Sequence, residues 1–109
     1  MKLLKAIIRP NKVDDVKDAL AKLNISGITV TEVRGHGKQK GHTAVYRGKE
    51  YNVSLLPKMQ VEVVVPDSIA DDAIRAIVEA ARTGEIGDGR VFVLPVEQSF
   101  RIRTGERDL

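Results

Sequence analysis

The stretch TGEIGDGRVF, Thr83–Phe92, carries the most suggestive chemistry in the chain. Gly84, Gly87 and Gly89 crowd into it. Glycine admits backbone conformations closed to other residues and leaves amides free to point at an anion. Arg90 adds a positive charge directly after them. The same glycines also suit a tight helix-to-strand connection, and spacing alone leaves both readings open. The order, helix before and strand after, is the reverse of a dinucleotide-binding fingerprint, and no Gly-Lys-Ser/Thr follows as in a P-loop. Further on, FRIRTGER places Arg101 and Arg103 on one side of an extended segment. Two guanidiniums on one face suit a polyphosphate, although a solvated strand edge reads the same way.

A longer stretch, RGHGKQKGHTAVYRGKEYNVS from Arg34 to Ser54, holds four glycines, five lysines and arginines, two histidines and two tyrosines. It shows no apolar pattern for packing a helix or strand. Loops beyond about 12–15 residues are uncommon in small domains and are usually functional or disordered. Gly37, Lys38, Lys40 and Gly41 offer amides and charges to a small anion, and Lys58 can join them. Tyr46 and Tyr51 are accessible to a modifying enzyme or partner, or else pack the loop against itself. His36 and His42 lack the further ligands a metal site needs, with no cysteine in the chain. No nucleophile–base pair or acid–base carboxylate pair stands out, so the chain is expected to bind and not to catalyse.

These residues need a scaffold. A length of 109 residues bounds one domain. The chain has 42% hydrophobic and 30% charged residues, and a net charge of +3 that favours anionic partners only mildly. Absent cysteine excludes disulfides and thiolate chemistry. The N-terminal MKLLKAIIRP reads as a strand and not a signal peptide, and no run approaches the roughly 20 apolar residues of a membrane span, so a cytoplasmic protein is expected.

The apolar spacing gives the elements. KLLKAII (Lys2–Ile8) reads as a strand. Asn11 is placed to cap a helix whose buried face is Val13, Val16, Leu20 and Leu23, and Asn24–Gly27 ends it. ITVTEV (Ile28–Val33) alternates and is rich in β-branched residues, so it is a second strand, and MQVEVVV (Met59–Val65) reads as a third. Asp67 or Ser68 caps a second helix, with Ala70, Ala73, Ile74, Ile77, Val78 and Ala81 inward and Gly84 as the C-cap glycine. RVFVLPV (Arg90–Val96) is a fourth strand, and Pro95 marks an edge or an end. Strand–helix–strand, long loop, strand–helix–strand is the ferredoxin-like βαββαβ order, an α+β fold with a four-stranded antiparallel sheet and two helices on one face. Strands one and four carry apolar residues on both faces, so the second sheet face needs a cover. Another copy of the chain is the economical one.

Taken jointly, KAIIRPNKVDDVKDAL, GITVTEVRGHGKQKGHTAVYRGKEY, LLPKMQVEVVVPD, TGEIGDGRVFVLPVE and RIRTGE occur in the order and at the distances of the nitrogen regulatory PII signal-transduction family. The chain resembles that family over essentially its whole length. The resemblance implies a single domain over 1–109, with a T-loop at 35–55, a B-loop at 82–90 and a C-terminal segment at 97–109. It implies a homotrimer with nucleotide sites between subunits that take ATP or ADP competitively, and 2-oxoglutarate together with Mg-ATP. The purine would lie near Ile7, Thr29, Glu62 and Val64, with Gly35, Gly37, Lys38 and Gln39 close by. Gly87, Asp88, Gly89 and Arg90 would cradle the phosphates, and Arg101 and Arg103 would complete the clamp. Gln39 would help hold Mg2+. The keto acid would chelate that ion, meet amides at Gly37, Gln39, Lys40 and Gly41, and pair with Lys58.

The implied partners are an ammonium transporter and nitrogen-regulatory or metabolic enzymes, reached through the T-loop. A nucleotidyltransferase would act on Tyr51. Neither nucleic acid nor direct membrane insertion is expected, only membrane association through a transporter. The sequence departs from the commonest family pattern at Lys49, Lys38, Arg90 and Asn11; charge is kept at Lys38 and Arg90. A nucleic-acid-binding or nucleotide-only ferredoxin-like domain is the alternative, and the first of these usually exposes stacking aromatics on its sheet.

Overall fold

Strand and helix positions follow the apolar spacing closely. The structure is a computed structural model that describes residues 1–36, 42–46, 49–53 and 55–108, with side chains for 1–36 and 55–108. The elements run β1 (Lys2–Ile8), α1 (Val13–Ala21), β2 (Ile28–Gly35), β3 (His42–Tyr46), β4 (Lys49–Val53), β5 (Leu56–Val65), α2 (Asp67–Ala81) and β6 (Gly89–Pro95). β2, β5, β1 and β6 form one antiparallel sheet in that order. This is the ferredoxin-like α+β fold. β3 and β4 pair with each other in a separate two-stranded sheet, with His42 opposite Val53 and Tyr46 opposite Lys49.

That hairpin corrects the sequence reading, which found no strand between Arg34 and Ser54. HTAVY and KEYNV are short, and their polar residues mask the alternation. β5 also begins at Leu56, three residues before the expected Met59. β6 ends at Pro95 on a sheet edge, as its proline requires.

The core lies between one face of the sheet and the helices. Leu4, Ala6 and Ile8 of β1 and Val61, Val63 and Val65 of β5 point into it. Val16 and Leu20 of α1 meet Ala70, Ala73, Ile77 and Ala81 of α2 there. Alanines at three of these four α2 positions keep that face low, so the helix backbone can approach its neighbours. Truncating a fully buried residue such as Leu20 or Ile77 to alanine costs about 2–5 kcal/mol, through lost transfer energy and a cavity.

The helix ends differ from expectation. Asn11 does not cap α1. Pro10–Lys12 form a 3-10 turn and the helix starts at Val13, its N-cap Lys12 making no side-chain cap bond. Asp67 and Ser68 lie inside α2, whose N-cap is Pro66. α2 also ends without a glycine cap, at Arg82. The close of α1 is well built: Asn24 takes a φ of 62°, and the amides of Asn24 and Ile25 donate to the carbonyls of Ala21 and Leu20. This Schellman arrangement satisfies carbonyls that the helix leaves over, and it buries Ile25 beside Leu20.

The other face of the main sheet is apolar in part. Val64, Phe92 and Leu94 are 47%, 45% and 39% exposed; Val64 and Leu94 lie opposite Leu3 in the register, and Phe92 opposite Lys5. No helix of the described residues is long and apolar enough to cross a membrane.

Candidate functional site

The connection from α2 to β6 is a glycine turn. Gly84, Gly87 and Gly89 have φ of 91°, 102° and 104°, a region that side chains disfavour. At Gly89 the requirement is doubled. A Cβ there would sit 1.7 Å from the Ile7 carbonyl oxygen, because β6 passes tightly against β1.

Asp88 braces this turn from inside. Its carboxylate accepts from the Thr83 amide at 2.8 Å, the Gly84 amide at 2.8 Å and Arg9 Nε at 3.1 Å. The Thr83 hydroxyl also donates to it. The Thr83 hydroxyl and amide are the strongest of the influences that hold this carboxyl well below the usual carboxylate range. The Gly84 amide and Arg9 add to them, while burial opposes. Asp88 therefore stays ionised, with its charge spent inside the turn.

Arg9 also donates from Nη2 to the Ile86 carbonyl at 3.0 Å. Lys58 Nζ donates to the Gly87 carbonyl at 2.7 Å. Burial lowers the Lys58 pKa, the Arg9 charge lowers it further, and Asp88 partly opposes both.

An open cleft of about 600 Å3 lies against this turn. Ile7, Leu56 and Phe92 supply an apolar surface, and Ile86 stands at the rim. Gly87, Asp88, Gly89 and Arg90 form one wall. Gly35 at the end of β2, His36 just beyond it and Lys58 of β5 complete the lining with Glu85. An apolar floor beside convergent cations and unencumbered backbone is the composition of a site for a ligand with a flat apolar part and an anionic tail.

Seven of the residues singled out in the sequence thus meet: Ile7, Gly35, Lys58, Gly87, Asp88, Gly89 and Arg90 all line the cleft. Thr29, Glu62 and Val64 do not line it. They lie on the same sheet face, Thr29 opposite Glu62 and Val64 opposite Leu3. Glu62 accepts a hydrogen bond from Gln60 at 2.6 Å. Arg101 and Arg103 are also apart from the cleft, and their segment is not extended as expected. The chain turns back there: the Gly105 amide donates to the Arg101 carbonyl at 2.7 Å, and the Arg101 amide to the Glu106 carbonyl at 2.8 Å. Arg101 Nε pairs with Asp108 at 3.5 Å. Gly37, Lys38, Gln39, Lys40 and Gly41 lie outside the described residues, as does the side chain of Tyr51.

Sequence reading missed Arg9, Thr83, Leu56, Ile86 and Phe92. Thr83 and Asp88 carry a local signal, a hydroxyl and a carboxylate flanking a glycine turn. Arg9 carries none, because 79 residues separate it from Asp88.

The family model for Nitrogen regulatory protein P-II matches residues 1–106. Among curated proteins, the chain is similar to the Nitrogen regulatory protein P-II of Haemophilus influenzae, at 57% identity over 108 residues, 99% of this chain and 96% of the relative. It is similar to the Nitrogen regulatory protein P-II 1 of Escherichia coli K12 at 56% over 108 residues, with the same coverage. A Nitrogen regulatory protein P-II of Azospirillum brasilense is 59% identical over 107 residues, covering 98% of this chain and 96% of that protein.

Proposed function

The chain belongs to the nitrogen regulatory protein P-II family, and from that premise we propose that it senses adenine nucleotide and 2-oxoglutarate and passes the result to nitrogen-metabolism targets. A signalling role in nitrogen regulation follows from the family itself. The ligands and targets are the finer reading. The observation that carries it is the cleft, which Ile7, Lys58 and the Gly87–Arg90 turn line together, with Lys58 bonded directly to the Gly87 carbonyl.

In this reading the nucleotide base uses the apolar surface, and its phosphates use the glycine turn and Arg90. The other expected contacts, Thr29, Glu62, Val64, Arg101 and Arg103, lie outside the cleft of one chain. A site shared between subunits of a homotrimer accounts for that division, and the partly apolar sheet face gives the subunits a surface to bury. Mg2+ would be held mainly by oxygens of ATP and the keto acid, with Gln39 supplying one more. Asp88 is not offered to the ion, since four donors already occupy its carboxylate. Two anionic ligands repel each other, so a bridging cation makes the binding of one favour the other. Lys58 pairs with the far carboxylate of the keto acid.

The protein acts by binding and not by turnover. It works in the cytoplasm, where the 35–55 segment contacts an ammonium transporter or a metabolic enzyme and Tyr51 is open to nucleotidylation. Calorimetric titration of 2-oxoglutarate tests this reading, with Mg-ATP, with Mg-ADP and without nucleotide. Binding only with Mg-ATP supports the metal-bridged site. Binding independent of nucleotide, or none at all, refutes it.

A further inference from the structure

We infer that Arg9 is a positioning residue for the cleft: its guanidinium reaches across from the end of β1 and fixes the direction of the glycine-turn backbone that faces the ligand. The inference deepens the reading of the cleft as an anion site and rests on it.

Three observations carry it. The first is the fork. Nε meets the Asp88 carboxylate at 3.1 Å and Nη2 meets the Ile86 carbonyl at 3.0 Å. A planar guanidinium holds its donors at fixed spacing, so two points of the turn are held at a set separation. A lysine ammonium cannot do this. The second is the mount. Arg9 precedes Pro10, which excludes it from helical backbone, and it takes φ −64° and ψ 142°. Its carbonyl accepts from the Lys12 amide at 3.0 Å, so the root of the side chain is itself fixed. The third is charge. Asp88 puts a carboxylate directly beneath backbone that is to receive an anion. Arg9 pairs with it where both side chains are only about a fifth exposed, at 22% and 23%. Arg9 thus serves the site twice, by orienting Gly87 and its neighbours and by offsetting the Asp88 carboxylate within their turn. It need not touch the ligand.

Arg9→Met keeps the apolar stem and removes both the fork and the charge. Arg9→Lys keeps the charge and removes the fork. ATP, ADP and adenosine are titrated calorimetrically into each protein, and the Gly84 and Gly87 amide resonances are followed by NMR without ligand. Arg9→Met is expected to weaken ATP by about tenfold or more, from lost charge-assisted bonds, and ADP less. Adenosine, which has no phosphate, is expected to bind as in the parent protein. Arg9→Lys is expected to recover part of the ATP affinity while the Gly84 and Gly87 resonances stay displaced. Parental ATP affinity in Arg9→Met with unmoved turn amides overturns the inference. So does an equal loss for ATP and adenosine, which marks a general structural defect. If the parent protein binds no nucleotide, the anion-site reading fails. The ligand-free amide resonances then still decide whether Arg9 sets the turn.

Discussion

Gly89→Ala is the sharpest perturbation the structure offers, because two separate costs meet at one atom. The residue sits at φ 104°, and holding a side chain in so sparsely populated a region costs about 1–3 kcal/mol. The added Cβ would also lie 1.7 Å from the Ile7 oxygen and 2.8 Å from the Ile7 carbon. Real Cβ atoms do not come within 3.0 Å, so β6 must retreat from β1 by about 1.3 Å or the Ile7 peptide must rotate. Either movement disturbs the pairing of Ile8 with Gly89, and each ladder bond lost costs about 1 kcal/mol. With one or two bonds lost, the sum is about 2–5 kcal/mol. At about 4 °C per kcal/mol, Tm falls by roughly 8–20 °C.

Two other glycines calibrate the effect. Gly84 has φ 91° but open space around it, so Gly84→Ala carries the backbone cost alone. Gly27 has neither constraint, and Gly27→Ala is expected to be neutral or slightly stabilising. Thermal unfolding of all three at one protein concentration is the assay, since association shifts the apparent midpoint. The reasoning is refuted if Gly89→Ala melts no lower than Gly84→Ala.

Further expectations concern the cleft and the long loop. Asp88 should remain ionised through the ordinary aspartate value of 3.8, because its pKa is lowered. A lowered carboxylate stabilises the fold fully above its unfolded pKa and loses that contribution only as pH falls toward the folded value. The stability gap between the parent protein and Asp88→Asn should therefore stay constant from neutral pH to about 5 and close only below about 4. A carboxyl carbon resonance of Asp88 titrating near the ordinary value would contradict this. Lys58→Ala and Gln39→Ala should each weaken 2-oxoglutarate by more than they weaken ADP, read by calorimetry, and equal losses would remove the assigned roles. Tyr51→Phe should leave effector binding nearly unchanged while abolishing any nucleotidylation that the parent protein undergoes. Modified protein recovered from that variant, detected by mass spectrometry, would move the target elsewhere.

Much of this protein is determined along the chain. The spacing of Val13, Val16 and Leu20 dictates one helix, and that of Ala70, Ala73, Ile77 and Ala81 the other, since 3.6 residues per turn brings such positions to one face. The short apolar runs Lys2–Ile8 and Met59–Val65 and the alternation of Ile28–Val33 dictate strands, and the element order then leaves a ferredoxin-like sheet as the simple arrangement. Gly87, Gly89 and Arg90 announce the turn because glycine and charge are local properties. What the sequence withholds is pairing. The β3–β4 hairpin is hidden because its strands alternate weakly, and the helix starts shift because Pro10 and Pro66 govern the backbone more than nearby polar caps do. The need for glycine at position 89 becomes visible only when β1 is laid against β6. The reach of Arg9 to Asp88 is decided by tertiary structure alone, because a contact across 79 residues leaves no periodicity to read.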